Sequence, residues 1–275
     1  MPVINLLIEI FVVLLGLAFG SFLNVCVARL PRHESIAHPP SHCPRCGTPI
    51  RTRDNIPLLS YLILRGRCRA CRAPISWRYP AVEFATTALW LLCFLVFGPT
   101  IQAAAMAILC FLAVGLAVMD AETLLLPDAF TLPGIFLGIL WSAASAGGGW
   151  PERLHAAGLS LLWAAAAAGL ILAIRFLYWM VRRREGMGLG DVKLFAMFAA
   201  WLGPENALLI LFLAVVTGAL YGIVSLMRQR RPDARRVRPT RTPHRVPLGS
   251  FLCASAIYAV FAGQQTIAWY LRFFR

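Results

Sequence analysis

Eight apolar runs, most of them close to twenty residues long, leave this chain little choice of solvent other than a lipid bilayer. A helix needs roughly 20 apolar residues to cross a hydrocarbon core of about 30 Å. Runs of that kind lie at about 4–28, 80–98, 100–119, 129–147, 155–180, 191–203, 205–227 and 248–272. The sixth is short for a complete crossing, and its division from the seventh rests on the turn sequence Gly203-Pro204-Glu205-Asn206. Gly98-Pro99 divides the second from the third by the same logic. Composition agrees, since 59% of the 275 residues are hydrophobic and only 14% are charged, too few charges for a soluble domain of this length. The pattern predicts an all-α polytopic membrane protein with about eight transmembrane helices.

A formal net charge of +14 first suggests nucleic acid, but the basic residues sit between apolar runs rather than on one amphipathic surface. No nucleic-acid partner is expected. Segment 29–79 holds ten Lys and Arg, 182–193 holds four and 228–245 holds eight. These 22 of the 26 all fall on one side if the N-terminus is outside and there are eight spans, and that side is then cytoplasmic. The first run lacks a basic leader, carries Glu9, and has its positive flank afterwards at Arg29 and Arg32, so it reads as a retained anchor. Arg175, inside the fifth run, reads as a snorkelling side chain near the inner interface. The Arg- and Pro-rich loop 228–247 reads as an orientation signal lying against anionic membrane lipid. The expected organisation is a first transmembrane helix over 1–28, a cytoplasmic segment over 29–79, and a seven-helix membrane domain over 80–275 that carries this loop. Glycine pairs Gly16/Gly20, Gly134/Gly138 and Gly218/Gly222 suit close helix packing.

Of eight cysteines, Cys26, Cys93, Cys110 and Cys253 lie alone in apolar stretches, where cysteine acts as a small hydrophobe. The others form Cys43-Pro44-Arg45-Cys46 and Cys68-Arg69-Ala70-Cys71, separated by 21 residues. Two such knuckles can fold back so that four thiolates surround one tetrahedral zinc. The intervening segment has few large apolar residues, so metal would supply much of its folding free energy. A redox role needs only one such motif, and disulfides do not suit the cytoplasmic face. Four thiolates leave no open coordination position, so the zinc is structural. His33, His38 and His42 read as ordinary loop residues.

Asp120 ends a long apolar run, Glu122 and Asp128 follow, and Asp191 opens the sixth run after Gly186-Met187-Gly188-Leu189-Gly190. Ionisable groups at or within a span are expensive and mark function by default. Both Asp120 and Asp191 fall at cytoplasmic helix ends in this topology, so they can meet. Two close carboxylates in low dielectric share a proton, which supplies a base to activate water and an acid for the scissile amide. Either aspartate alone would more ordinarily be a cap or interface anchor. Gly186, Gly188 and Gly190 let the backbone approach a peptide closely, and their spacing is not a dinucleotide fingerprint. A transporter or scaffold with proton-carrying aspartates is the rival reading. It would more often show broken helices in pairs and an internal repeat, and no convincing repeat is legible.

These residues resemble the type IV prepilin peptidases, also called prepilin leader peptidase/N-methyltransferases, over nearly the whole chain. The resemblance is carried by Gly20-Ser21-Phe22-Leu23-Asn24-Val25-Cys26 with Arg29-Leu30-Pro31, and by both knuckles flanking Asp54-Asn55-Ile56-Pro57. It continues in Ile75-Ser76-Trp77-Arg78-Tyr79-Pro80 with Glu83, in Asp120 with Leu126-Pro127-Asp128, and in Gly188-Leu189-Gly190-Asp191-Val192-Lys193. It implies a bacterial inner-membrane enzyme with eight helices and a zinc-bearing cytoplasmic domain. Asp120 and Asp191 would be its catalytic pair, as in GxGD proteases such as presenilin, with Gly188, Gly190, Asp128 and Lys193 in support. Prepilins or pseudopilins would be cut on the cytoplasmic side after a glycine, and the new N-terminus methylated from S-adenosylmethionine. That methyl donor rests on the resemblance alone, for no glycine-rich βα signature is present. A GxGD protease for other membrane substrates is the remaining alternative, which the cysteine segment disfavours. Where the family usually has a Pro-Phe-Gly-Pro-like stretch, this chain reads Pro247-Leu248-Gly249-Ser250: glycine is kept and the following proline is not. The departure bears on the start of the last helix and on substrate handling, not on the aspartate pair.

Overall fold

The structure, a computed structural model, describes residues 2–184, 187–229 and 247–273. Every apolar run is helical. The membrane helices are α1 (Pro2–Arg29), α3 (Arg78–Phe97), α4 (Ile101–Thr123), α5 (Asp128–Ser145), α6 (Trp150–Arg182), α7 (Leu189–Gln229) and α8 (Leu248–Arg272), while α2 (Leu59–Ile63) is a single turn in the cysteine segment. Seven helices among the described residues are long and apolar enough to cross a membrane, so the chain is a multi-pass membrane protein. The basic stretch expected over 228–247 lies, from 230 to 246, outside the described residues, as does Gly186.

The sixth of these membrane helices, α7, contains two of the expected runs. Gly203, at φ 77° and ψ 176°, breaks α7 where the turn sequence predicts, and Pro204 opens the second part because its fixed φ suits the first turn of a helix. Contacts with α8 give the direction of each part. Leu126 fills the space beside both Gly190 and Gly249, Asn206 reaches Gly263 at the far end of α8, and Tyr221 packs on Phe251 back near its start with ring centroids 5.6 Å apart. The chain therefore runs away from the start of α8 over 189–202 and returns over 204–229. The outgoing arm rises only about 21 Å, short of the hydrocarbon thickness. It avoids lipid by being enclosed: Leu194, Phe195, Met197, Phe198 and Ala199 are all buried against α5 and α6.

Apolar side chains gain little by leaving lipid for protein, so close packing and interhelical hydrogen bonds hold such a bundle. On α1 the backbone nearly touches α3, since a Cβ on Gly16 or Gly20 would lie 2.8 Å from the Cα of Thr87 or Glu83. On α5, Gly134 and Gly138 make room for Met197 and Trp201 of the outgoing arm. The third pair does less: Gly218 meets Phe251 at an ordinary 3.5 Å and Gly222 faces open space. Trp201 Nε1 donates to the Gly134 carbonyl at 2.8 Å, and Ser160 Oγ donates to that of Ala200 at 2.9 Å. Bonds of this kind contribute about 0.6 kcal/mol each on average within membranes. Arg175 gains a specific partner beyond snorkelling, donating to the Met187 carbonyl at 2.9 Å.

Candidate active site and cysteine cluster

Asp120 does not end its helix, as the apolar pattern suggests. α4 continues one turn to Thr123, and Leu124 closes it in the left-handed conformation with its N–H on the Asp120 carbonyl at 2.9 Å. The Asp120 side chain is thus set on a complete helical turn and is 4% exposed. Its Oδ2 accepts two hydrogen bonds from the first turn of α8, from the Ser250 N–H at 2.7 Å and from Ser250 Oγ at 3.0 Å. The first N–H groups of a helix have no partner within it, so a buried carboxylate from α4 caps α8 across the bundle. Gly249 makes the approach feasible: a Cβ there would stand 3.0 Å from Asp120 Cγ and 3.1 Å from Leu126 Cδ1.

Asp191 lies in the first turn of α7, partly exposed, with Oδ2 accepting the Gly188 N–H at 3.2 Å. The two glycines of Gly188-Leu189-Gly190-Asp191 do different work. A Cβ at Gly190 would meet Leu126 Cβ at 2.9 Å, so glycine is required there for packing, whereas at Gly188 it would meet nothing closer than 3.6 Å. Leu126 joins the N-terminal turns of α7 and α8, which places Asp191 at the same end of the bundle as Asp120.

The neighbouring acids are differently placed. Asp128 opens α5, is exposed, and pairs with Lys193 Nζ at 2.6 Å. Glu122 pairs with Arg78 at 2.5 Å. Glu83 is buried on α3, where its carboxylate accepts the Leu58 N–H at 2.8 Å and the Ser21 hydroxyl also reaches it. Leu58 has φ 57° and ψ −49°, a conformation costly for leucine, and Glu83 holds it there.

The four expected metal ligands do come together. The sulfurs of Cys43, Cys46, Cys68 and Cys71 all lie within 4.8 Å of one another, with Cys43 and Cys71 3.8 Å apart. Tetrahedral zinc with bonds of about 2.3 Å requires sulfurs about 3.8 Å apart, so the cage has the right size. Thr48 beside Cys46 pulls its thiol down to about 6 and the backbone N–H groups of Cys71 and Ala70 lower that of Cys68, while desolvation and the neighbouring thiols push that of Cys71 up to about 11 despite the Ala73 N–H. Thiolate is the form that binds metal. The two knuckles are copies of each other. Cys43 N–H donates to Thr48 O and Cys68 N–H to Ala73 O, while Gly47 N–H and Arg72 N–H close the same turn onto the first cysteine of each. The repeated Cys-x-x-Cys-x-x-Pro-Ile, at 43–50 and 68–75, is the sequence signal for this pairing. A bidentate Arg69–Asp54 pair, with contacts of 2.6 to 3.1 Å, ties the second knuckle to the intervening loop and holds the Asp54 carboxyl below its usual range.

Asp120 of α4 and Asp191 of α7 thus come from separate helices of a multi-pass bundle to the same end of it. Residues 14–97 match the bacterial peptidase A24 N-terminal domain and residues 104–223 match the type IV leader peptidase family. A protein of Pseudomonas aeruginosa named prepilin leader peptidase/N-methyltransferase is 34% identical over 286 residues, covering 95% of this chain and 92% of that protein. One of Stutzerimonas stutzeri with the same name is 36% identical, covering 95% and 93%. One of Myxococcus xanthus is 39% identical over 229 residues, covering 83% of this chain and 66% of the relative. No solved structure matches. The chain belongs to the type IV leader peptidase family, a family of aspartic peptidases.

Proposed function

We propose that the chain removes the leader peptide of type IV prepilins or pseudopilins at the cytoplasmic face of a bacterial inner membrane, with Asp120 and Asp191 as the acting pair. What supports this reading is a buried Asp120 at the same end of the bundle as Asp191, the two helix starts there being joined through Leu126, in a chain whose relatives bear the name prepilin leader peptidase. That end also bears the cysteine segment, whose basic residues make it the cytoplasmic side by the positive-inside rule and leave the N-terminus of α1 outside. The organisation we propose is an anchor helix, a zinc module over 29–79, and a membrane protease domain over 80–275.

One carboxylate of the pair is ionised and takes a proton from a water molecule as its oxygen attacks the scissile carbonyl. The other, protonated, gives its proton to the carbonyl oxygen. Collapse of the tetrahedral intermediate breaks the C–N bond: the proton taken from water passes to the leaving amine, and the proton lent to the carbonyl oxygen returns to its aspartate as the carbonyl of the new acid forms. Zinc held by Cys43, Cys46, Cys68 and Cys71 supplies structure only, because four thiolates fill its coordination. The relatives' name extends the proposal to N-methylation by S-adenosylmethionine. The described residues form two isolated β-bridges and no strand–loop–helix cradle, so no residue is assigned to that donor.

Purified chain in detergent, incubated with a prepilin, should release a leader and leave a shortened product. With S-adenosylmethionine added, the product gains one methyl group. An uncut prepilin under conditions in which a relative cuts it would sink the proposal, and a cut product that never gains the methyl mass would restrict the chain to peptidase activity. Close packing makes Gly249 a sensitive position. Gly249→Ala should slow cleavage at least about tenfold, because its Cβ would displace Asp120 or Leu126, whereas Gly218→Ala stays near wild type. Equal rates for the two variants would show that the approach of α8 to Asp120 does not matter.

A further inference from the structure

We propose that Ser250 is a positioning residue for Asp120, a role that rests on the reading of Asp120 as catalytic. Its hydroxyl lies 2.9 Å from the Ala117 carbonyl oxygen and 3.0 Å from Asp120 Oδ2, while its N–H lies 2.7 Å from the same Oδ2. Ala117 and Asp120 are three residues apart on α4, so one serine straddles the turn that carries the aspartate.

A hydroxyl has one proton to donate and lone pairs that accept. With Asp120 ionised, Oγ–H and N–H both donate to Oδ2. With Asp120 protonated on Oδ2, that proton goes to Ser250 Oγ, and Oγ–H turns to the Ala117 carbonyl. The carboxyl therefore keeps a partner in both protonation states without moving, which a residue that gains and loses a proton in each turnover requires. An alanine at this position would offer only the N–H. Gly249 and Ser250 act together, the first admitting the carboxylate to the N-terminal turn of α8 and the second binding it there.

The test uses the full chain in detergent and a prepilin substrate, with Ser250→Ala, Ser250→Thr and Asp120→Asn compared with wild type across pH. Ser250→Ala should lower kcat about tenfold, the effect of one hydrogen bond to a charged group. It should leave KM within about twofold and displace the pH profile of kcat. Ser250→Thr, which keeps the hydroxyl, should recover most of the rate and the wild-type profile. An alanine variant whose kcat and pH profile overlay wild type overturns the proposal, as does a threonine variant no better than alanine. The reading beneath it is tested separately: if Asp120→Asn still cleaves, Asp120 is not catalytic whatever Ser250 does. If Asp120→Asn is dead and Ser250→Ala is unaltered, only the positioning role fails.

Discussion

Asp120→Asn and Asp191→Asn should each abolish prepilin cleavage, lowering the rate by about a thousandfold or more, within the range that acid–base groups contribute. Asparagine keeps the size of the side chain and can still accept from Ser250 or Gly188. It cannot carry or release the proton, so water is no longer activated between the two groups. Because the pair acts as a unit, the double variant should be hardly slower than either single one. Both proteins should remain in the membrane with their zinc, since neither change creates a cavity. Asp128 is the natural control. It is exposed at the start of α5 and occupied by Lys193, so Asp128→Asn should weaken activity without removing it. A dead Asp128→Asn beside an active Asp191→Asn would mean that the second carboxylate has been misassigned, and the role of Gly188-Leu189-Gly190-Asp191 with it.

Replacing Cys43 and Cys46 together by Ser should reduce copurifying zinc from about one per chain to almost none. Structural zinc in small modules supplies about 10–16 kcal/mol of folding free energy. The segment between α1 and α3 has little else to replace it: residues 30–77 contain only short turns, and few of their side chains are buried. Protease should then cut within 40–75 far faster than in wild type, while α4 to α8 stay protected. Loss of the module should also reach the bundle edge, where Leu58 is held by Glu83 and Arg78 by Glu122. Full zinc content in the double variant would rule out the four-thiolate site, and unchanged proteolysis would show that the metal does not fold the module.

Much of this protein is legible along the chain because the bilayer restricts what each run can become. Without water to satisfy backbone groups, an apolar run of sufficient length must be helical, so element type and approximate bounds follow from hydropathy. Two Cys-x-x-Cys knuckles specify a tetrahedral cage almost unaided, because thiolate chemistry leaves few other ways to use four such residues. Asp120 and Asp191 stand out for the same reason that charge stands out in any apolar run.

Tertiary structure decided what depends on distance between separate runs. Hydropathy does not show that the arm over 189–202 is enclosed by α5 and α6 rather than exposed to lipid, because Leu, Phe and Met read alike in either setting. Nor can it place Ser250, 130 residues beyond Asp120, against that carboxylate. A serine after a helix-opening Pro-Leu-Gly looks like any first-turn residue. It becomes a partner of the proposed site only because Gly249 lets α8 close on α4 and because a helix start offers unpaired N–H groups. Likewise Asp128 and Lys193 are neighbours only after α5 and α7 pack side by side. Composition and spacing determined the solvent, the helices and the four-cysteine cluster. Which carboxylate meets which donor was left to helix packing, where a single absent Cβ sets the separation.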